Sequence, residues 1–125
     1  MAGIYIHIPF CHQACVYCNF HFSTSVTKKD RMVEAIIREV SLNDFIRQPG
    51  LKIETIYVGG GTPSILSATE LHSILQAVRQ AYTVDPAAEI TLEANPEDIG
   101  PASLEAWLGI GVNRLSVGIQ SFDDL

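Results

Sequence analysis

The alternation of two kinds of apolar stretch along this chain constrains its fold more than any other feature. Short stretches alternate apolar and polar residues or consist mostly of β-branched residues, as strands do. Longer stretches between them repeat apolar residues every three or four positions, as helices do. Strict strand and helix alternation predicts an α/β fold with right-handed crossovers and a parallel sheet, either flat or curled into a barrel. The predicted strands are 4–8, 53–58, 90–94 and 113–119.

Capping residues and helix breakers set the limits of the predicted helices. Serine and threonine side chains satisfy free N–H groups at the start of a helix, proline is favoured in the first turn, and glycine is favoured just past the end. The first helix is predicted to begin with Thr27 as its cap and to end near Ile46, the second to begin at the capping-box pair Ser67 and Glu70, and the third to extend from Pro101 to Gly109 or Gly111.

Polar or glycine-rich residues follow each of the four predicted strands. In parallel α/β sheets, ligands bind at the carboxyl ends of the strands. We therefore expect these segments to converge on one rim of the sheet. They are a long loop at 10–25, a glycine run at 59–63, the segment 93–96 that begins with Glu93, and Gln120.

The loop at 10–25 contains the only cysteines of the chain, Cys11, Cys15 and Cys18, in a C-x3-C-x2-C pattern. Three thiolates can ligate three irons of a four-iron cluster and leave the fourth iron open to a small molecule. The alternative is a structural zinc site with a histidine as the fourth ligand. The histidines close enough in sequence are His7, His12 and His21.

The composition excludes two classes of partner. Eight Lys and Arg residues against 14 Asp and Glu residues give a formal charge of −6, with no basic stripe for nucleic acid or anionic lipid. No stretch has the layout of a leader peptide or the length of a membrane span, so the sequence predicts a cytoplasmic protein without membrane insertion. Because helix-like residues follow the fourth strand, residues 1–125 are expected to be an N-terminal fragment of a longer protein.

The cysteine loop resembles the signature of the radical S-adenosylmethionine superfamily, C-x3-C-x-aromatic-C, with Tyr17 in the aromatic position. The resemblance implies a 4Fe-4S cluster on Cys11, Cys15 and Cys18, with S-adenosylmethionine on the open iron. It also implies an electron donor and reductive cleavage to a 5′-deoxyadenosyl radical. Glycine residues let the backbone approach a ligand closely, and in this superfamily the glycine run meets the methionyl amino group.

The segments 5–11 and 113–120 resemble a narrower group, which contains oxygen-independent coproporphyrinogen III oxidase and the related heme chaperones. The resemblance implies that residues 1–125 form the N-terminal part of a radical S-adenosylmethionine core domain, a partial (β/α)6 barrel. The implied contacts of S-adenosylmethionine are Tyr5, Gly60, Gly61, Thr62, Glu93 and Gln120, with Tyr17 at a second such molecule.

One local difference separates the two functions within this group. The oxidase has a further cysteine two residues after the third cluster cysteine, whereas this chain reads Cys18-Asn19-Phe20 and resembles the Cys-Asp-Phe of the chaperone. The resemblance therefore predicts a heme chaperone that carries heme as its cargo to acceptor proteins. The alternatives are the oxidase, which decarboxylates coproporphyrinogen III, and more remotely a zinc-stapled interaction domain.

Two further polar residues in predicted strands have ordinary structural explanations. Arg114 can serve as the partner of a carboxylate. His7 is predicted to point away from the face that carries Ile6, and a hydrogen-bonded structural histidine explains it better than a ligand role.

Overall fold

The computed structural model describes residues 2–9, 26–42 and 50–118. Its strands and helices alternate as predicted, and short 3₁₀ turns at Pro63–Ile65 and Pro96–Asp98 follow the second and third strands. In chain order the elements are β1 (Ala2–Ile8), α1 (Val26–Leu42), β2 (Lys52–Gly60), α2 (Ala68–Ala81), β3 (Thr83–Ala94), α3 (Pro101–Ile110) and β4 (Arg114–Val117).

The four strands form one parallel sheet in the order β1, β2, β3, β4. This arrangement confirms the predicted α/β fold. Tyr5 is aligned with Tyr57, Tyr57 with Thr91, and Thr91 with Arg114. At the carboxyl ends, Ile8 is aligned with Gly60, and Ala94 with Val117. All the strands therefore end at the same rim, which is where the sequence places its polar segments.

The core lies between one face of the sheet and the three helices. Ile8, Val58 and Leu92 of the sheet are fully buried and belong to one hydrophobic cluster. The helices contribute to the same cluster, which places all of them over this face of the sheet. Their buried members are Val33 of α1, Leu71, Ile74, Leu75 and Val78 of α2, and Trp107 of α3.

Two of the predicted helix boundaries are confirmed. The Ser67 hydroxyl accepts a hydrogen bond from the Glu70 N–H at 3.1 Å, and the Glu70 carboxylate accepts one from the Ser67 N–H at 2.8 Å, which together form the capping box. The third helix begins at Pro101 and ends at Ile110, and it is capped by Gly111, whose φ of 111° is readily available only to glycine.

Two other boundaries were predicted wrongly. α1 begins at Val26, so Thr27 lies inside the helix, where the backbone conformation that an N-cap needs is absent. β3 begins at Thr83, seven residues before the predicted start at Ile90. Its first part contains Asp85 and Pro86, residues that are rare in strands, and the register with β2 shifts across this stretch.

None of the helices in the described ranges combines the length and the apolar character that crossing a membrane requires.

Candidate functional site

The face of the sheet opposite the helices is polar near its carboxyl rim. Because side chains alternate along a strand, Tyr5 and His7 project opposite to Ile6 and Ile8, and Glu93 projects opposite to Leu92. Tyr5 is 58% exposed while Ile8 is fully buried. Within ranges 2–9, 26–42 and 50–118, the hydrophobic cluster lies on the other face. The polar face is thus open to a ligand.

The carboxylate of Glu93 joins β3 to the end of β2. Its Oε1 accepts a hydrogen bond from the Gly60 N–H at 2.9 Å, and its Oε2 accepts one from the Tyr57 hydroxyl at 2.6 Å. Hydrogen bonds to an ionised acceptor are short and strong. Each carboxylate oxygen can accept two hydrogen bonds. Glu93 therefore has a fixed orientation and retains the capacity to accept hydrogen bonds from a ligand.

Tyr57 connects Glu93 to the aromatic residue at the edge of the sheet. Its ring stacks on that of Tyr5, with ring centroids 5.7 Å apart and planes inclined by 19°. The hydrogen bond to Glu93 raises the pKa of Tyr57 above its ordinary value. A weaker opposing effect comes from a hydrogen bond with Ser116, and burial adds to the increase. Tyr57 therefore keeps its proton, and its hydroxyl remains a donor, throughout the neutral pH range.

Two glycines of the glycine run are required for different reasons. A Cβ atom at Gly59 would lie 2.8 Å from Cε1 of Tyr57 and 2.9 Å from both Oε1 of Glu93 and the hydroxyl of Tyr5. Gly60 has a φ of 123°, and a Cβ there would collide with the backbone of Ile8. The first glycine makes room for side chains, and the second permits a backbone conformation.

The residues after Gly60 form hydrogen bonds that join the rim to the neighbouring elements. The Gly61 N–H donates to the carbonyl of Ile8 at 2.8 Å, and the Ser64 hydroxyl donates to Oδ2 of Asp98 at 2.6 Å. The second bond joins the turns that follow β2 and β3. Thr62 lies between these contacts with a side chain that is only 5% exposed.

The structure brings three of the predicted site residues, Tyr5, Gly60 and Glu93, into one cluster, and Gly61 and Thr62 adjoin it along the chain. Cys11, Cys15, Cys18, Tyr17 and Gln120 lie outside the described residues. The described ranges contain no group of three His, Cys, Asp or Glu residues that could hold a metal ion.

The two residues given structural explanations behave as expected. Arg114 forms a 2.6 Å ion pair with Glu89, and both side chains are at least half exposed. His7 is exposed on the face opposite Ile6, and its Nδ1 lies 3.3 Å from the Tyr5 hydroxyl.

Tyr57, which contacts two of the predicted site residues, was not predicted from the sequence. Its position pointed to the polar face, because Tyr57 lies between Ile56 and Val58 in a strand and must project opposite to them. Its distance to Glu93 depends on the register between β2 and β3, which the pattern within one strand does not give.

Comparison with known proteins gives one family and a consistent set of relatives. The family model described as the Radical SAM superfamily matches residues 5–125. The heme chaperone HemW of Synechocystis sp. is 39% identical over 127 residues, which cover 96% of this chain and 30% of that protein. Oxygen-independent coproporphyrinogen III oxidase of Bradyrhizobium diazoefficiens is 38% identical over 128 residues, 99% of this chain and 28% of that protein.

Among solved structures, coproporphyrinogen III oxidase (HemN) from Escherichia coli, described as a radical SAM enzyme, matches with a TM-score of 0.85 and 30% identity. The match covers 98% of this chain and 28% of that one. The chain thus spans less than a third of the length of these relatives.

Proposed function

The chain belongs to the radical SAM superfamily, and on that premise we propose that the protein is a heme chaperone. Membership of the family implies a 4Fe-4S cluster and S-adenosylmethionine. In this proposal Cys11, Cys15 and Cys18 hold the cluster, and heme is the cargo that passes to an acceptor protein. Residues 1–125 form the N-terminal part of the core domain that carries the cofactor site, and an electron donor serves the cluster.

The described residues suit S-adenosylmethionine, which has a cationic amino-acid end and an aromatic base. Glu93 carries a negative charge and has acceptor capacity beyond its bonds to Tyr57 and Gly60. Tyr5 presents an exposed ring on the same face. The cysteine thiolates supply the soft ligands that iron–sulfur clusters require. When bound, the cluster supplies the electron for reductive cleavage of S-adenosylmethionine.

The protein's own contribution is to hold and orient the cofactor. Glu93 accepts hydrogen bonds from the ligand, and the Gly60 and Tyr57 donors keep its carboxylate from rotating. The bond from Gly61 to Ile8 holds the rim in place. Thr62, Gln120 and Tyr17 are proposed to complete the contacts, Tyr17 at a second S-adenosylmethionine molecule.

The observation that carries the chaperone assignment is the sequence Cys18-Asn19-Phe20, which lacks the additional cysteine of the oxidase. Overall identity does not decide the matter, because the chaperone from Synechocystis and the oxidase from Bradyrhizobium are 39% and 38% identical to this chain. The oxidase remains the second candidate on the strength of that relative and of the match to HemN.

The cofactor assignment is tested by electron paramagnetic resonance of the full-length protein, reconstituted anaerobically with iron and sulfide and then reduced. We expect the signal of a reduced 4Fe-4S cluster that changes when S-adenosylmethionine is added. A variant with all three cysteines changed to serine should give no such signal. Stoichiometric zinc and no cluster in the folded wild-type protein would instead support the zinc-stapled interaction domain.

The choice between chaperone and oxidase needs two assays on the same preparation. Heme titration followed by absorbance should show stoichiometric binding, and transfer to apo-acceptor proteins should follow. Incubation with coproporphyrinogen III, S-adenosylmethionine and a reductant should give no decarboxylated product. Turnover of the porphyrinogen without heme binding would reverse the assignment.

The role of Glu93 has a matched control on the same strand. Glu93→Gln removes the charge but keeps an acceptor for the Gly60 N–H, and we expect it to weaken S-adenosylmethionine binding roughly tenfold or more, as for the loss of a hydrogen bond to a charged group. Glu89→Gln removes a carboxylate at the other end of the polar face and should leave the Kd unchanged. Equal Kd values for both variants and the wild type would exclude Glu93 from the site.

A further inference from the structure

We propose that Tyr57 is a positioning residue of the cofactor site, which fixes Glu93 through its hydroxyl and Tyr5 through its ring. The inference rests on the proposed binding of S-adenosylmethionine at this rim. Neither the cysteine motif nor the glycine run includes Tyr57, which lies two residues before Gly59 in β2.

The Tyr57 hydroxyl helps to fix the Glu93 carboxylate. A glutamate side chain has several rotatable bonds, and holding it in one arrangement costs side-chain entropy. The Tyr57 hydroxyl and the Gly60 N–H bind different oxygens of the Glu93 carboxylate, at 2.6 Å and 2.9 Å. Two donors on two oxygens define the plane of the carboxylate, which one donor alone would leave free to rotate.

The Tyr57 ring helps to orient the ring of Tyr5. Tyr5 lies on β1 and is 58% exposed, so contact with solvent alone would allow its ring several orientations. The ring of Tyr57 stacks on it from the neighbouring strand, in register, with centroids 5.7 Å apart. Offset aromatic pairs favour such an arrangement. Tyr57 thus sets the direction in which the Tyr5 ring faces a ligand.

The side chains of this cluster leave no room for a Cβ atom at Gly59. A Cβ at Gly59 would lie closer than 3.0 Å to atoms of Tyr57, Glu93 and Tyr5. Gly59 does not have a positive φ, so its backbone conformation does not require glycine. The close packing of the three side chains explains the glycine. Their arrangement is therefore sensitive to the addition of one methyl group.

Tyr57 contacts site residues on the strands at both sides of it. Its hydroxyl donates to Glu93 on β3, and its ring stacks on Tyr5 of β1. Both strands are paired with β2, which carries Tyr57. Tyr57 is therefore the residue through which these three strands contribute to the arrangement of the site.

The test compares S-adenosylmethionine Kd values by equilibrium dialysis in the full-length protein with its cluster reconstituted. Tyr57→Phe keeps the stacked ring and removes the hydroxyl, and we expect the Kd to rise about three- to tenfold, a change of the size that one ordinary hydrogen bond contributes, because the hydroxyl acts on the ligand only through Glu93. Tyr82→Phe, the same chemical change at the amino end of β3, should leave the Kd at the wild-type value. A Tyr57→Phe value equal to that of Tyr82→Phe would overturn the inference.

A double-mutant cycle separates positioning from a general structural role. If Tyr57 acts through Glu93, Tyr57→Phe should weaken binding in the wild-type background and have little further effect in the Glu93→Gln background. Fully additive effects would overturn the inference, because the hydroxyl would then act independently of the carboxylate.

A second variant tests the geometry while leaving Tyr57 in place. Gly59→Ala introduces the methyl group that the cluster excludes, and we expect a Kd increase at least as large as that of Tyr57→Phe. Wild-type affinity in Gly59→Ala would overturn the requirement for this close arrangement. Absence of S-adenosylmethionine binding to the wild-type protein would overturn the proposed function as well, whereas wild-type binding with no effect of Tyr57→Phe would overturn only the positioning role.

Discussion

The two faces of the sheet are built from alternating residues of the same strands, yet they have different surroundings. On one face Ile8, Val58 and Leu92 are fully buried beneath three helices. On the other, Tyr5 is 58% exposed and Glu93 is held by hydrogen bonds. Burial of apolar area is the dominant source of stability. The helix-covered face should therefore determine folding, and the polar face should determine binding.

The largest effect on stability is expected on the helix-covered face. Leu75→Ala removes a fully buried side chain of α2 and leaves a cavity, at an expected cost of about 2–5 kcal/mol in the free energy of unfolding. Urea denaturation followed by circular dichroism measures this cost. Leu104→Ala on α3 is the matched control, since Leu104 is 42% exposed and should cost much less. Equal losses for the two variants would contradict the assignment of the core.

Gly60 is the last residue of β2 at the carboxyl rim, and its substitution should affect both stability and ligand binding. Gly60→Ala combines a φ of 123° with a collision against Ile8, and we expect a cost of about 1–3 kcal/mol in unfolding free energy. Weaker S-adenosylmethionine binding should accompany it, because the Gly60 N–H holds Glu93.

The control for this prediction is the same substitution in a helix. Gly109→Ala lies in α3 with nothing within 4 Å of the added Cβ, and alanine is the better helix former by about 1 kcal/mol. We expect Gly109→Ala to leave the protein as stable as the wild type or more so. A similar loss of stability in both variants would show that the conformation of Gly60 is not special.

The sequence predicted those parts of the fold that depend on local patterns. Alternation identified β1, a short apolar stretch identified β2, and the capping box at Ser67 and Glu70 followed directly from its spacing. Thr27 was misassigned because threonine is also tolerated inside helices, so its residue type alone does not mark a boundary. The early start of β3 escaped prediction because Asp85 and Pro86 occur there against their usual preference.

The sequence predicted which residues lie at the rim, but it did not predict their contacts between strands. Glu93 and Gly60 were expected at one rim because both end strands of a parallel sheet. Their 2.9 Å hydrogen bond, and the 2.6 Å bond from Tyr57, depend on the register of β3 against β2. Register is set by packing of the whole sheet and is not encoded in either strand alone.

A smaller effect is expected from the ion pair at the amino end of the polar face. Arg114 and Glu89 are 2.6 Å apart, but their side chains are 62% and 50% exposed, so solvent screens their attraction. We expect Arg114→Gln to change the free energy of unfolding by less than about 1 kcal/mol, and the change should shrink further in high salt. A loss comparable to that of Leu75→Ala would mean that the polar face also determines folding.

At neutral pH, the smallest effect on the free energy of unfolding is expected from the titration of the Tyr57 hydroxyl. The hydrogen bond to Glu93 raises the pKa of Tyr57 above its ordinary value of 10.0. Between the unfolded and the folded pKa, the native state binds more protons than the unfolded state, so the free energy of unfolding falls as pH rises through that window. The stability that this hydroxyl contributes is therefore complete below pH 10.0 and is lost as pH rises above it.

The difference in unfolding free energy between the wild type and Tyr57→Phe should stay constant up to that pH and then decrease. Tyrosinate absorbance in the near ultraviolet should show a late-titrating tyrosine that Tyr57→Phe abolishes. If the variant instead removes a tyrosine whose pKa is at or below the ordinary value, Tyr57 does not donate a hydrogen bond to Glu93, and the polar face lacks the contact that orients this carboxylate.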